Sequence, residues 1–127
     1  MKDAIEQLLA LPTWAVVGLS DNRARAAWGV ANFLQDKGKT IIPVHPSACE
    51  VHGEKGYASL ADIPVPVDVV DCFVRSELVG PVVDEAIAIG AQGVWLQLDV
   101  IDHDAAARAR EAGLVVVMDR CPKIEWP

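Results

Sequence analysis

The sequence lacks the cysteine and histidine patterns that hold together disulfide-rich or zinc-binding domains. Its three cysteines, Cys49, Cys72 and Cys121, are widely spaced and odd in number, and no Cys-x-x-Cys pair occurs. A disulfide framework and a structural metal site are therefore both disfavoured. We expect a protein of a reducing compartment, the cytoplasm, that binds no metal.

The chain also lacks a long apolar run and an excess of basic residues. No window approaches the roughly 18 consecutive apolar residues that a membrane span requires. Residues 1–9 are typical of a short amphipathic helix rather than of a signal peptide. Eleven Lys and Arg residues against 18 Asp and Glu residues give a formal net charge of −7. Such a chain is not attracted to the phosphate backbone in general, so we expect neither nucleic acid nor a membrane as its partner.

Apolar strand-like segments and amphipathic helices alternate along the 127 residues, which is the size of one domain. Strands are predicted over 14–19, 40–44, 67–73, 94–98 and 114–118. Helices of about ten residues between strands indicate parallel pairing with right-handed crossovers. We therefore expect one α/β domain over residues 1–127, a Rossmann-like three-layer fold with a five-stranded parallel sheet, in the order 3-2-1-4-5.

The loops after the predicted strands are rich in arginine. Arg23 and Arg25 follow the first strand, Arg75 follows the third and Arg120 the fifth, so four of the six arginines are expected at one edge of the sheet. Ligands of open parallel sheets bind at that edge. In an acidic protein, this concentration indicates an anionic ligand, because guanidinium groups bind phosphate oxygens bidentately. Each arginine could instead be solvated, or paired with a nearby aspartate.

Two further features narrow the ligand class. Gly18 and Ser20 lead into a helix N-terminus, a local arrangement suited to phosphate. The Gly-x-Gly-x-x-Gly fingerprint is missing, and the second strand ends in Val44-His45-Pro46, where a dinucleotide enzyme would carry an acid for the ribose. An NAD-dependent dehydrogenase is thereby disfavoured, and no Gly-x-Ser-x-Gly nucleophile elbow is present.

Cys121 is the main candidate for a catalytic group. It lies between Arg120 and Lys123, an electropositive setting typical of reactive thiols. Its simpler interpretation is a small packed residue after the last strand. A thiol-active enzyme using Cys121, or a nucleotide-dependent enzyme, remains an alternative, and an NAD(P)-binding oxidoreductase is less favoured. We assign no catalytic residue.

Eight segments carry a family resemblance along nearly the whole chain: VVGLS (16–20), RAAWGVA (25–31), IPVHP (42–46), GEKGYASL (53–60), DVVD (68–71), FVRS (73–76), WLQ (95–97) and DRCPK (119–123). Together they resemble the small stand-alone CoA-binding domain family, which is similar to the N-terminal domain of succinyl-CoA synthetase alpha subunits. The resemblance implies coenzyme A as the ligand. It places phosphates at the first-strand loop and adenosine beside the second-strand loop, with a facing wall after the third strand.

The expected CoA-binding residues, from the resemblance and from the loops, are Gly18, Ser20, Arg23, Arg25, Val44, His45, Pro46, Phe73, Arg75, Ser76 and Gln97. The synthetase has a second domain with a phosphorylated histidine and a partner subunit, neither of which we expect here. Ligase activity is therefore not carried over. We expect a non-catalytic carrier or sensor of CoA or an acyl-CoA, with a protein partner or a homodimer left open. A scaffold with an empty vestigial site is a further alternative.

Overall fold

The computed structural model describes residues 2–127, in which strands and helices alternate. The strands are β1 (Thr13–Val17), β2 (Thr40–Val44), β3 (Val69–Cys72), β4 (Gly93–Leu96) and β5 (Val115–Val117). The helices are α1 (Lys2–Leu9), α2 (Ala26–Asp36), α3 (Ser76–Ala88), α4 (His103–Glu111) and α5 (Pro122–Glu125), and a short 3₁₀ turn spans Leu60–Asp62. None of the helices in this part of the chain has both the length and the apolar composition needed to cross a bilayer.

The five strands form one parallel sheet in the order β2-β1-β3-β4-β5, which confirms the Rossmann-like α/β class. The position expected for the 67–73 strand needs correction, because β3 lies between β1 and β4 and not beside β2. The place beside β2 is taken by Tyr57, which makes a single parallel bridge to Val44. Counting Tyr57 as a rudimentary third strand gives six strands in the order 3-2-1-4-5-6, whose first five places are the predicted 3-2-1-4-5. The polar segment 46–66 gives no periodic signal for such a one-residue strand.

Helices cover both faces of the sheet and divide the core into two clusters. Successive strand residues point to opposite faces, so in β1 Ala15 packs with α3 and α4, whereas Trp14 and Val16 pack with α1 and α2. All residues of β3 and β4 are buried. Burial on both faces is characteristic of parallel sheets, and the three-layer prediction is confirmed.

The helices after β3 and β4 begin in different ways. Asp102 caps α4, because its Oδ1 accepts a hydrogen bond from the Ala105 N–H at 3.0 Å. Helix α3 begins at Ser76, soon after β3, so Pro81 lies inside the helix. The early start brings the N-terminus of α3 to the carboxyl edge of the sheet.

Asp71 is an acidic residue in the middle of the sheet. In β3 it pairs with Val16 of β1 on one side and with Trp95 of β4 on the other. Its side chain is completely buried, and neither carboxyl oxygen has a hydrogen-bond partner within residues 2–127. Burial in this apolar layer raises the pKa of Asp71 well above its usual range, so the folded protein favours the protonated acid.

The free energy of unfolding should therefore fall as the pH rises above about 4, the ordinary pKa of aspartate, because the folded state retains a proton that the unfolded chain releases. Asp71→Asn removes this titration. We expect the variant to lose a slope of up to about 1.4 kcal/mol per pH unit, measured by urea unfolding between pH 4 and pH 7.

Asp36→Asn is the matched control, because it makes the same substitution at an exposed residue at the end of α2. It should keep the slope of the unmodified protein. If Asp71→Asn and the unmodified protein show parallel pH profiles, Asp71 does not titrate as described.

Candidate functional site

The carboxyl edge of the sheet contains a cavity of about 740 Å³ between the loops that follow β2 and β3. We call it the main cavity. Its polar side chains are few: Arg25, His45, Ser59, Arg75 and Glu85. Most of its lining is apolar and comes from β1, the loops and α3: Val17, Val44, Pro46, Leu60, Val74, Leu78 and Val82. Such a surface suits a flat or extended organic group with charge at one end.

A second cavity of about 320 Å³, the side cavity, adjoins the main cavity. The two share Gly18, Arg25 and the segment 73–75. The side cavity is further lined by the start of α2 and by residues 97–100, after β4. A ligand that extends from one cavity into the other therefore has to pass both Arg25 and Arg75.

Gly18 lies where β1 ends and the two cavities meet. Its φ of +98° is in the left-handed region that favours glycine. A Cβ on Gly18 would lie 2.4 Å from the carbonyl oxygen of Phe73, far inside van der Waals contact. Its N–H donates to the carbonyl of Val44 at 2.8 Å. The backbones that follow β1 and β3 thus approach each other as closely as a residue without a side chain allows.

The first turn of α2 is the positive end of a helix dipole. Arg25 is the N-cap residue in an extended conformation, and no side chain caps the helix. In the first turn the Trp28 N–H donates to the Arg25 carbonyl at 3.1 Å, whereas the N–H groups of Ala26 and Ala27 precede the first intrahelical bond, and both of these residues line the side cavity. An uncapped helix start beside two arginines is suited to an anion.

Gln97 contributes an unusual polar group to the same cavity. Only 6% of its surface is exposed, and its Oε1 has no hydrogen-bond partner within residues 2–127. Buried amide oxygens are nearly always hydrogen-bonded in folded proteins. The missing partner is therefore consistent with a site that a ligand completes.

The hydrogen bonds of His45 fix its tautomer. The N–H of Ser47 donates to His45 Nδ1 at 3.1 Å, and the Ser47 hydroxyl lies 2.8 Å from the same nitrogen. Nδ1 is therefore the acceptor of the neutral ring, and Nε2 carries the hydrogen. His45 lines the main cavity and can offer this N–H to a ligand.

The predicted edge of four arginines is reduced to two. Arg25 and Arg75 line both cavities. The guanidinium of Arg23 instead lies 5.4 Å from the centre of the Trp28 ring. The Arg120 guanidinium donates to the carbonyl of Asp119, and the residue borders a separate groove near α1 and the C-terminus. A residue that directly follows a strand lies at the carboxyl edge of the sheet, but its position in the sequence does not decide where a long side chain points.

Of the eleven predicted site residues, the structure brings eight together around the two cavities: Gly18, Arg25, Val44, His45, Pro46, Phe73, Arg75 and Gln97. Arg23, Ser20 and Ser76 line neither cavity. The Ser76 hydroxyl donates to the carbonyl of Asp99 at 3.1 Å and accepts from the N–H of Ile101 at 2.9 Å. Ser76 thus joins two loops. The role of the eight residues in binding stays a prediction.

One wall of the main cavity was not predicted. The segment 58–60 lines it, and Glu85 of α3 holds this segment by accepting a hydrogen bond from the Leu60 N–H at 2.8 Å. The 46–66 segment has little periodicity, so only the part of the family resemblance at 53–60 pointed to it. A bond between residues 25 positions apart leaves no local signal in the sequence.

The cysteines lie apart from the cavities. Cys121 is buried with the cluster formed by α1, α2 and one face of the sheet, and it lines neither cavity. Burial and the neighbouring Asp71 raise the pKa of the Cys72 thiol, which keeps it protonated. A thiol-active site is therefore not favoured. Within residues 2–127 no group of three His, Cys, Asp or Glu side chains is arranged to hold a metal ion.

Comparison with known proteins decides the family. Residues 12–127 match the family described as a CoA binding domain. The chain belongs to the CoA-binding domain family. This confirms the resemblance drawn from the sequence motifs, and the match leaves out the first eleven residues of the chain.

Relatives of this CoA-binding domain are of two kinds. It is 39% identical over 110 residues to the uncharacterized protein YneT of Bacillus subtilis (strain 168), covering 87% of this chain and 82% of that protein. A hypothetical protein from Pyrococcus horikoshii OT3 has a solved structure that superposes with a TM-score of 0.92 at 37% identity, covering 98% of this chain and 89% of the other. Both are proteins of similar length.

The second kind of relative is much longer. The chain is 26% identical over 108 residues to the ADP-forming 4-hydroxybutyrate–CoA ligase of Nitrosopumilus maritimus (strain SCM1), covering 82% of this chain but 16% of the ligase. The shared part is thus a module related to those of CoA ligases.

The close approach at Gly18 can be tested by a pair of alanine substitutions. Gly18 and Gly38 both have positive φ, but a Cβ on Gly38 would meet nothing within 4 Å. Gly38→Ala should therefore cost only the conformational strain, about 1–2 kcal/mol. Gly18→Ala should lower the free energy of unfolding by about a further 1–3 kcal/mol, because the Phe73 backbone must move. Equal losses in chemical denaturation would contradict the contact.

Proposed function

We propose that this CoA-binding domain holds coenzyme A, or an acyl-CoA, across the two cavities and acts as a carrier or sensor without catalysing a reaction itself. The observation that carries the proposal is the position of Arg25 and Arg75. Both line both cavities, Arg25 as the N-cap residue of α2 and Arg75 as the N-cap residue of α3, in a chain whose net charge is −7. The family and the related ligase module support CoA as the ligand.

The diphosphate of CoA is assigned to the junction of the two cavities. There, two guanidinium groups can bind its oxygens, and the first-turn N–H groups of α2 can donate to them. Gly18 lines both cavities at this junction, so the backbone that follows β1 borders the space assigned to the diphosphate. Nucleotide ligands of parallel sheets commonly bind in this crevice, at the point where the strand order reverses.

The two ends of CoA fit cavities of different character. The main cavity is larger and mostly apolar, with the His45 N–H as a donor, and suits the adenosine. The side cavity is smaller and suits the slender pantetheine arm, whose amides can pair with the Gln97 amide. An amide partner would satisfy the Gln97 oxygen that now lacks one.

The carrier or sensor role rests on what lines the cavities. Cys121, the strongest candidate nucleophile in the sequence, is buried outside both of them. The Cys49, Cys72 and Cys121 thiols are all free, in keeping with a protein of the reducing cytoplasm. The activity of the whole 4-hydroxybutyrate–CoA ligase is not transferred to a chain that matches 16% of it.

Native mass spectrometry of the purified protein, followed by calorimetric titration with CoA, acetyl-CoA, NAD and ATP, tests the proposal. We expect CoA or its thioester to bind in preference to NAD and ATP. Preferential binding of NAD, or no binding by any of the four, would overturn it. Hydrolysis or transfer of the acetyl group by the protein alone would contradict the non-catalytic role.

Arg25→Ala should weaken CoA binding by about 1–3 kcal/mol, because a charged hydrogen bond to phosphate is lost. Arg23→Ala is the matched control: Arg23 is two positions away on the same loop, but its guanidinium lies over Trp28 outside both cavities. Calorimetry should therefore give Arg23→Ala a near-normal affinity. Similar losses in the two variants would argue against the assignment of Arg25 to the phosphate.

A further inference from the structure

The wall of the side cavity after β4 is formed by a loop with a fixed backbone. Asp99 has a φ of +68°, in the left-handed region. Its N–H donates to Oδ1 of Asp119 at 2.8 Å, and its carbonyl accepts from the Ser76 hydroxyl at 3.1 Å. Three loops, after β3, β4 and β5, are therefore tied together at Asp99. The carboxylate of Asp99 extends from an anchored backbone.

This wall carries negative charge that no cation neutralises at close range. The one ion pair within residues 2–127 joins Arg108 and Asp84, on α4 and α3. Among residues 2–127, Asp99 and the neighbouring Asp119 therefore have no basic partner within 4 Å. Leu98, which is 48% exposed, and the buried Val100 are the apolar neighbours of Asp99 in the cavity lining.

Charges of both signs line the side cavity. Arg25 and Arg75 line both cavities, whereas the exposed Asp99 lines the side cavity but not the main cavity. Gln97 is more than nine-tenths buried in the same lining, and its oxygen has no hydrogen-bond partner within residues 2–127, so a ligand in this space could supply one. A ligand here should be anionic at the junction, and a further negative charge close to Asp99 should weaken its binding.

We propose that Asp99 selects the acyl group by charge. The site takes free CoA and CoA thioesters of short uncharged acids, and it discriminates against thioesters whose acyl group carries a carboxylate. This inference rests on the proposed function, with the pantetheine arm in the side cavity. The cavity volume of about 320 Å³ leaves little room beyond the arm, so a terminal carboxylate comes near the Asp99 carboxylate.

Calorimetric titration with acetyl-CoA and succinyl-CoA in low-salt buffer tests the selection. Two like charges at a partly hydrated surface should give a preference for acetyl-CoA of roughly 3- to 10-fold, which shrinks as salt screens the repulsion. Asp99→Asn should abolish most of this preference, because the affinity for succinyl-CoA rises more than the affinity for acetyl-CoA. Asparagine tolerates the left-handed conformation, so the loop should remain intact.

Asp36→Asn removes the same charge at the far end of α2 and is the matched control, because the general repulsion by a chain of charge −7 is reduced equally in both variants. It should retain the preference of the unmodified protein. Equal affinities of the unmodified protein for the two thioesters, or an equal change in both variants, would overturn the role of Asp99. Failure of both CoA and acetyl-CoA to bind the unmodified protein would instead overturn the proposed function.

Discussion

Gly18 has no side chain, and the space that one would fill is occupied by the backbone carbonyl of Phe73. On one side, the Gly18 N–H extends the β1–β2 ladder to Val44. On the other side, the Phe73 N–H donates to the carbonyl of Val17 at 2.8 Å. Beyond these bonds, the chain enters α2 on one face of the sheet and α3 on the other. The loops diverge from this tight contact, and the crevice between them becomes the two cavities.

This geometry explains how an acidic protein can be suited to a polyanion. The net charge of −7 is spread over the surface, whereas two of the six arginines and one helix start meet at the junction of the cavities. At contact distance, directed hydrogen bonds from guanidinium and backbone N–H groups outweigh the weak field of distant, solvent-screened carboxylates. Asp99 lines the side cavity but not the main cavity, so the repulsion proposed for it acts on the part of the ligand that lies in the side cavity.

The sequence allowed the strands, the parallel sheet and the edge that carries the site to be predicted, because buried runs and helical spacing are local signals. Arg25 and Arg75 followed from the rule that loops after parallel strands meet at one edge. The position of β3 in the sheet could not be predicted from local sequence signals, since the place beside β2 is taken by Tyr57 alone. Nor could Ser76 be recognised as a residue that joins loops, because its partners are more than 20 positions away.

The central claim is that CoA lies across the junction with its diphosphate between Arg25 and Arg75. A crystal structure of the protein with CoA bound tests it most directly. The account predicts diphosphate oxygens within hydrogen-bond distance of both guanidinium groups and of the first-turn N–H groups of α2, with adenosine in the main cavity and pantetheine beside Gln97. CoA bound instead in the groove between α1 and the C-terminus, or with its diphosphate away from both arginines, would contradict it.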